Sequence, residues 1–466
     1  MRRISPAVKS PNASKKALRA FHVDDCIPRL YIAHGFMRYN RASQPMFRFC
    51  LLAVLSVLAG AILFAIAFRS GKNPEVSRPS ALRDLVAGHG DHTKTGIDVL
   101  EAGKFAPLRG KRVGLITNQT GLDSYGHRTI DLIARADGVN LVAIFSPEHG
   151  IAGVADESVA NQADAPTGLP IFSLYGATRR PTKEMLSGID TFVFDLQDAG
   201  VRFYTYITTM AYSMEAAAQQ HISFFVLDRP NPLGGEVMEG PVLDRDRTSF
   251  VGYFAMPIRY AMTMGELAQM FNAENKIGAD LRVIAMQDWH RQDTYDMTGL
   301  AWVAPSPALR SLRENFLYPG VEILQAAGVS VGRGTATPFE VLGTPWTDPA
   351  RLLEQLSHRE LPGVRLTATQ FTPAKGLFSG ILCKGISMDL QDRDVFQPVL
   401  LGLEIASALH RLYPDQFQVD KMIGLLGSQS TVERLARGDD PKDIEASWTD
   451  DLTRFRQTRE KYLLYH

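Results

Sequence analysis

Cysteine is nearly absent. The 466 residues include three, Cys26, Cys50 and Cys383, far apart and in no C-x-x-C spacing. That excludes a zinc knuckle and a thioredoxin-type redox pair. A surplus of either charge is absent too, since 50 Lys+Arg balance 50 Asp+Glu. A nucleic-acid binder carries a basic excess on its binding domain, and none occurs beyond the N-terminal segment. No G-x-G-x-x-G follows the first expected strand, which runs instead into Asn118-Gln119-Thr120-Gly121, so a nicotinamide or flavin has no phosphate cradle. A Walker A loop and a G-x-S-x-G nucleophile elbow are also missing. So are internal repeats and low-complexity tracts. With 45% hydrophobic and 21% charged residues, the composition is that of a globular protein of two to three domains.

One long apolar run is present. Residues Phe49 to Phe68 carry no charge, and about 20 apolar residues suffice to cross a bilayer. Ahead of it, Arg2, Arg3, Lys9, Lys15, Lys16, Arg19, Arg29, Arg38, Arg41 and Arg48 oppose only Asp24 and Asp25. The positive-inside rule keeps this end in the cytoplasm and exports the chain beyond Arg69. A start at Met1 makes the run a membrane anchor. A start at Met46 makes it a signal peptide, with Ala65-Ile66-Ala67 as the small-x-small cleavage site. Either way the body is expected in the periplasm or at the outer face of the cytoplasmic membrane. Residues 1–48 form a basic segment, 49–68 the span or signal, and 69–94 a polar linker.

Beyond the linker, short apolar runs alternate with helical spacing. Strands are expected at Lys111–Thr117, Leu141–Phe145, Ile171–Tyr175, Thr191–Asp195, Ile222–Asp228 and Leu281–Ala285. Helices are expected at Arg128–Ala136, Tyr206–Gln220 and Met264–Asn275. Strands alternating with helices imply βαβ units, and continuous apolar runs imply strands buried on both faces. The fold class is α/β: a Rossmann-like parallel-sheet domain over 95–315, then a smaller α+β domain over 316–466. The second region opens near Leu317-Tyr318-Pro319-Gly320, with strands expected at Val364–Phe371 and Gly380–Leu390. Amphipathic helices are expected at Pro398–Leu412 and Trp448–Tyr465, the last docking its aromatic end on the body.

In open parallel sheets ligands bind at the carboxyl ends of the strands. Those ends carry Asn118, then Glu148 and His149, then Asp195 and Asp198, then Asp228 and Arg229. Carboxylates without a cofactor suit acid–base hydrolysis, glycoside hydrolysis in particular. Metal-dependent hydrolysis is the alternative, because Glu148, His149, Asp195, Asp198 and Asp228 are hard-ligand types. A plainer reading makes Asn118 and Asp228 turn-setting residues and His149 a support for its own turn.

Several blocks occur in order: Ser146-Pro-Glu-His-Gly150, Phe194 through Tyr206, Val226 through Gly235, Glu239 through Leu243, Trp302 through Pro307, Tyr318-Pro-Gly320, Gly332-Arg-Gly-Thr335 and Pro338-Phe-Glu340. Together they resemble the NamZ-like exo-β-N-acetylmuramidase family of glycoside hydrolases. The resemblance runs from Gly96 to Tyr465. It implies a Rossmann-like catalytic domain, an auxiliary C-terminal domain and an active site between them. It further implies hydrolysis of terminal β-N-acetylmuramyl residues from peptidoglycan-derived glycans, with no cofactor and no nucleic-acid partner. By this resemblance Glu148, Asp195 and Asp198 are catalytic candidates. Asn118, His149, Arg202, Tyr204, Asp228, Arg229, Arg259 and Arg333 are substrate-binding candidates. The chain departs from the family pattern at Tyr260-Ala261, where members commonly carry His-Gly. It departs again at Gln325 and Gly328, where many carry a glutamate and an asparagine. A non-catalytic glycan-binding protein that kept the crevice is therefore a third reading.

Overall fold

The central strands are apolar on both sides, and that property fixes the layering. In a computed structural model, which describes residues 92–155 and 160–466 within a unit spanning 81–466, helix α1 (Gly96–Ala102) precedes β1 (Arg112–Thr117). Next come α2 (Thr129–Arg135), β2 (Asn140–Ser146), β3 (Gln162–Ala163), β4 (Pro170–Ser173), β5 (Thr191–Asp195), α3 (Tyr206–Gln219), β6 (Ser223–Leu227), α4 (Met264–Glu274) and β7 (Leu281–Ile284). The seven strands lie in the order β3-β4-β2-β1-β5-β6-β7. All neighbours are parallel except β3, a two-residue antiparallel edge on β4 that the apolar pattern is too short to reveal.

Side chains of β5 alternate between two cores. Val193 packs with Ile97, Leu100, Ile130 and Ile133 of α1 and α2 on one face. Phe192 and Phe194 pack with Ile207, Met210, Leu267 and Phe271 of α3 and α4 on the other. A period of two with both faces apolar is the signature of a sheet covered on both sides. The chain leaves β1 for β2 on one side and returns to β5 on the other, so a topological switch lies between β1 and β5.

Helix α5 (Leu312–Gln325) is next, then β8 (Val341–Thr344), α6 (Pro349–Ser357), β9 (Val364–Phe371), β10 (Cys383–Leu390) and α7 (Pro398–Leu412). Short helices α8 (Ile423–Leu426), α9 (Gln429–Arg437), α10 (Pro441–Ala446) and α11 (Thr449–Arg459) close the chain. The smaller sheet is antiparallel, ordered β8-β10-β9. The class is therefore α/β with a smaller antiparallel sheet.

Helix α5 corrects one expectation. The second region is expected to open near Leu317-Tyr318-Pro319-Gly320; the helix there starts at Leu312, on a Ser311/Glu314 capping box, and runs through Pro319. Its partner explains this. At Gly320 a Cβ would lie 1.6 Å from the Pro398 carbonyl oxygen, and at Gly402 one would lie 2.3 Å from the Gly320 oxygen. The two backbones touch, and packing of α5 on α7 outweighs the intrinsic cost of the proline. The expected boundary at 315/316 falls inside this helix, and one apolar core continues from α3 and α4 into α5 and α7.

The basic segment, the Phe49–Phe68 run and most of the linker lie outside the described residues. Thr93 and Lys94, at the linker's end, hydrogen-bond to Thr298 and Gln287 of the body. Among the described residues no helix is long and apolar enough to cross a membrane.

Candidate active site

A cavity of about 900 Å³ opens above the carboxyl ends of the sheet. Glu148 and His149, just after β2, line one part of it, with Phe203, Tyr204 and Thr205 at the start of α3. Ser306 to Ala308 and Arg310, α5 through Tyr318, Glu322 and Gln325, the Gly-rich turn at Arg333, and residues 374–376 line much of the rest. Another groove, of about 750 Å³, has Arg180 paired with Glu215 and Arg454 with Asp451.

Glu148 is half-buried, and its position is over-determined. Thr205 Oγ1 donates to Oε2 at 2.6 Å, and the Tyr206 hydroxyl reaches the Glu148 carbonyl at 3.3 Å. Burial, and then the negative charge of Glu148, push the Tyr175 phenol up to about 12. His149 holds the turn in the left-handed region at φ 70°, which few residues other than glycine adopt. Its Nδ1 lies 2.7 Å from the Ala155 carbonyl, so that nitrogen carries a proton. His149 thus supports its turn and lines the cavity at once.

The cavity floor is aromatic. Tyr204 packs edge-on against Tyr206 at 4.7 Å and against Tyr318 at 6.2 Å, and Phe203 meets Tyr318 at 5.3 Å. Burial raises the Tyr204 and Tyr318 phenols well above their ordinary value, so both stay neutral. Asn118 lies one layer below, donating from Nδ2 to the Tyr206 hydroxyl at 2.7 Å while its Oδ1 accepts from Thr120. It steadies the ring that bonds the Glu148 backbone and lies outside the cavity wall.

Several expected site residues lie elsewhere. Asp195 is fully buried in an ion pair with Arg229, at 2.6 and 2.9 Å, and takes a third bond from Thr129 at 2.5 Å. Neither residue lines the cavity, and the pair ties β5 to the turn after β6. Asp228 is equally buried; it accepts from Thr263, the Gly265 N–H and the Tyr465 hydroxyl, fastening the start of α4 and the chain's end to β6. Arg202 spends its guanidinium on the carbonyls of Pro241, Met256, Leu425 and Leu426, and burial lowers it to about 9. Arg259 pairs with Glu239 at 3.2 Å. All four arginine and aspartate clusters tie elements together, and none of them lines the cavity.

Asp198 is intermediate. It is buried behind the tyrosine floor; Oδ2 accepts from the Tyr260 hydroxyl and the Gly200 N–H, and Oδ1 has no protein partner. Burial raises its carboxyl to about 6, against the lowering effect of those donors. The departure at Tyr260 therefore supplies the hydroxyl that holds Asp198, while Ala261 sits at φ 54° and gives its carbonyl to Arg291 and Arg459. Arg333 does line the cavity, bonding Glu322 at 2.8 Å.

Sequence reasoning missed Thr205, Tyr318 and Glu322. Tyr318 and Glu322 carried a usable signal, since residues four apart share a helix face; no helix was expected over this stretch, which holds Pro319 and Gly320. The hard-ligand side chains do not converge, and among the described residues no three of His, Cys, Asp and Glu form a metal-binding group. What the cavity offers is a held carboxylate, a stacking floor and cationic side chains, a set suited to acid–base hydrolysis of a sugar.

Comparison with known proteins agrees. Residues 113–313 match the family model for the N-terminal part of exo-β-N-acetylmuramidase NamZ, and 316–465 match that for its C-terminal part. The peptidoglycan β-N-acetylmuramidase NamZ of Bacillus subtilis (strain 168) is 39% identical over 420 residues, covering 88% of this chain and 99% of the relative. Two crystal structures of DUF1343 family proteins from Bacteroides fragilis NCTC 9343 superpose with TM-scores of 0.75 and 0.68, at 38% and 30% identity. They cover 80% and 81% of this chain, and 99% of each structure is matched. The chain belongs to the NamZ exo-β-N-acetylmuramidase family.

Proposed function

We propose that this protein is an exo-acting β-N-acetylmuramidase that removes terminal N-acetylmuramyl residues from peptidoglycan fragments. The observation that carries the reading is Glu148, held by Thr205 at the edge of a sugar-sized cavity. Thr205 holds one carboxyl oxygen and leaves the other to pass a proton to the glycosidic oxygen as the bond breaks. The tyrosine floor offers an apolar face to a pyranose ring. Arg310 lines the same cavity, anchored through the carbonyls of Thr335 and Ala336, and a cation there suits the lactyl carboxylate that distinguishes a muramyl residue.

The test is turnover of a chromogenic β-N-acetylmuraminide by purified protein, with and without EDTA. Release of the chromophore in both conditions is expected. Binding without turnover would leave a glycan-binding protein, and turnover lost to EDTA would favour a metal-dependent hydrolase.

We further propose that the body is exported and acts in cell-wall turnover outside the cytoplasm, on the strength of the Phe49–Phe68 run and the basic residues before it. Cell fractionation tests this. Intact protein in the soluble cytoplasmic fraction would sink the proposal.

A further inference from the structure

Glycoside hydrolysis usually needs two carboxyl groups, one to protonate the leaving oxygen and one to act on the opposite side of the ring. Neither Asp195 nor Asp228 reaches the cavity, and Asp198 lies behind its floor. A different carboxylate does line it. Glu322 stands on α5, four residues and about one helical turn beyond Tyr318, so both project from the same face. Its residue exposure is 8%, and Oε1 accepts from Arg333 Nη2 at 2.8 Å. Oε2 is buried and has no protein hydrogen-bond partner. Buried polar atoms are nearly always paired, so an orphaned carboxylate oxygen in a cavity wall calls for a ligand or a water.

Glu322 and Glu148 belong to different parts of the chain, and the Tyr318 phenol feels the negative charge of both. The reacting sugar would lie over that ring. Arg333 is held in turn: its guanidinium sits 5.0 Å from the Phe339 ring, and the Gly332–Gly334 turn presents it. The Arg333 guanidinium balances one oxygen of the Glu322 carboxylate and leaves the other, Oε2, for a water. Glu322 also stands three residues before Gln325, on the same helix face and lining the same cavity. The carboxylate of this wall is therefore one turn earlier along α5 than the position at which Gln325 stands.

Resting on the hydrolase reading above, we propose that Glu322 is the second reacting carboxylate, the base that activates the attacking water. Glu322 Oε2 takes one proton from water as the water oxygen bonds to the anomeric carbon. The glycosidic C–O bond breaks, and Glu148 gives its proton to the leaving oxygen. Exchange with solvent then returns the proton from Glu322 to Glu148. Water adds opposite the leaving group, so a β-muramide releases the α anomer first.

The experiment begins with wild-type turnover of a chromogenic β-N-acetylmuraminide, followed by Glu322→Gln. The expected result is a fall in kcat of about 10²-fold or more, with KM within about threefold and an unchanged thermal midpoint, as for loss of a general base. Azide added to Glu322→Ala should restore turnover and yield the α-azide. NMR of the wild-type reaction should show the α anomer first. Glu322→Gln retaining more than about a tenth of wild-type kcat, or a change in KM alone, would overturn the assignment, as would a β anomer as first product. If Glu322→Gln is not recovered folded, Glu322→Asp keeps the charge and withdraws it by one methylene. A loss of about tenfold or more at unchanged thermal midpoint supports the base role, and an unchanged kcat overturns it. Wild type without turnover defeats the hydrolase reading itself; turnover by wild type and variant alike defeats only the role of Glu322.

Discussion

Two sets of carboxylates stand at the edge of the same parallel sheet and have opposite fates. Asp195 and Asp228 end adjacent strands, and each is closed off by partners from other elements, Arg229 for the first and Tyr465 and Thr263 for the second. Glu148 follows β2 by two residues, on a turn set by Pro147 and a left-handed His149, and faces a cavity. The lesson is that a carboxylate at a strand end is only a nomination. A carboxylate closed off on all sides by partners inside the fold becomes part of the scaffold, and one that stands in a cavity wall stays available for chemistry.

The comparison is most directly broken at Glu148. Glu148→Gln is isosteric but cannot transfer a proton, so kcat should fall by about 10²–10⁴-fold while the fold and product binding persist. Steady-state kinetics beside a thermal melt checks this, and near-normal turnover would remove Glu148 from the reaction. Asp195→Asn should do the reverse. It leaves the buried Arg229 charge unpaired, which costs about 3–5 kcal/mol in comparable cases. Urea unfolding should show that loss, with turnover per folded molecule kept; a stable but inactive variant would return Asp195 to the site.

Gly402→Ala probes the scaffold that carries Glu322. An added methyl would press on the Gly320 carbonyl and push α5 from α7, at a cost of about 2–3 kcal/mol by analogy with overpacked cores. Chemical denaturation with wild-type stability would show that the close approach is unimportant.

Asp198 gives the smallest effect, and its sign can be worked out. Its carboxyl is raised to about 6 in the folded protein, against an ordinary value near 3.8. The folded state therefore holds this proton more tightly than the unfolded state. Its contribution is fully present at low pH and is lost as pH rises from about 4 through 6. Relative to Asp198→Asn, the wild type should lose about 2 kcal/mol across that window. Parallel pH dependence of the two unfolding midpoints would count against it.

Much of the fold was legible in the amino-acid order. The run Thr191–Asp195 is a strand with those ends, and Pro398–Leu412 is a helix with those ends, because an unbroken apolar run and a proline at the first helical turn are local signals. The antiparallel β3 and the short β8 escaped notice: β3 has only two residues, and in β8 the apolar pair Val341-Leu342 is cut off at once by Gly343. Of the site, Glu148, His149, Tyr204 and Arg333 were placed in the cavity wall. Glu322 was missed because no helix was expected across Pro319 and Gly320, where α5 packs closely on α7.

The sequence by itself determined the layers, since period-two apolar runs and helical spacing act over a few residues and do not need distant partners. Tertiary structure alone decided which polar groups face a substrate. Thr205 reaches Glu148 across 57 residues, and Tyr465 reaches Asp228 across 237. Whether a carboxylate is held open or sealed depends on which remote donor the fold delivers to it, and no local pattern encodes that delivery.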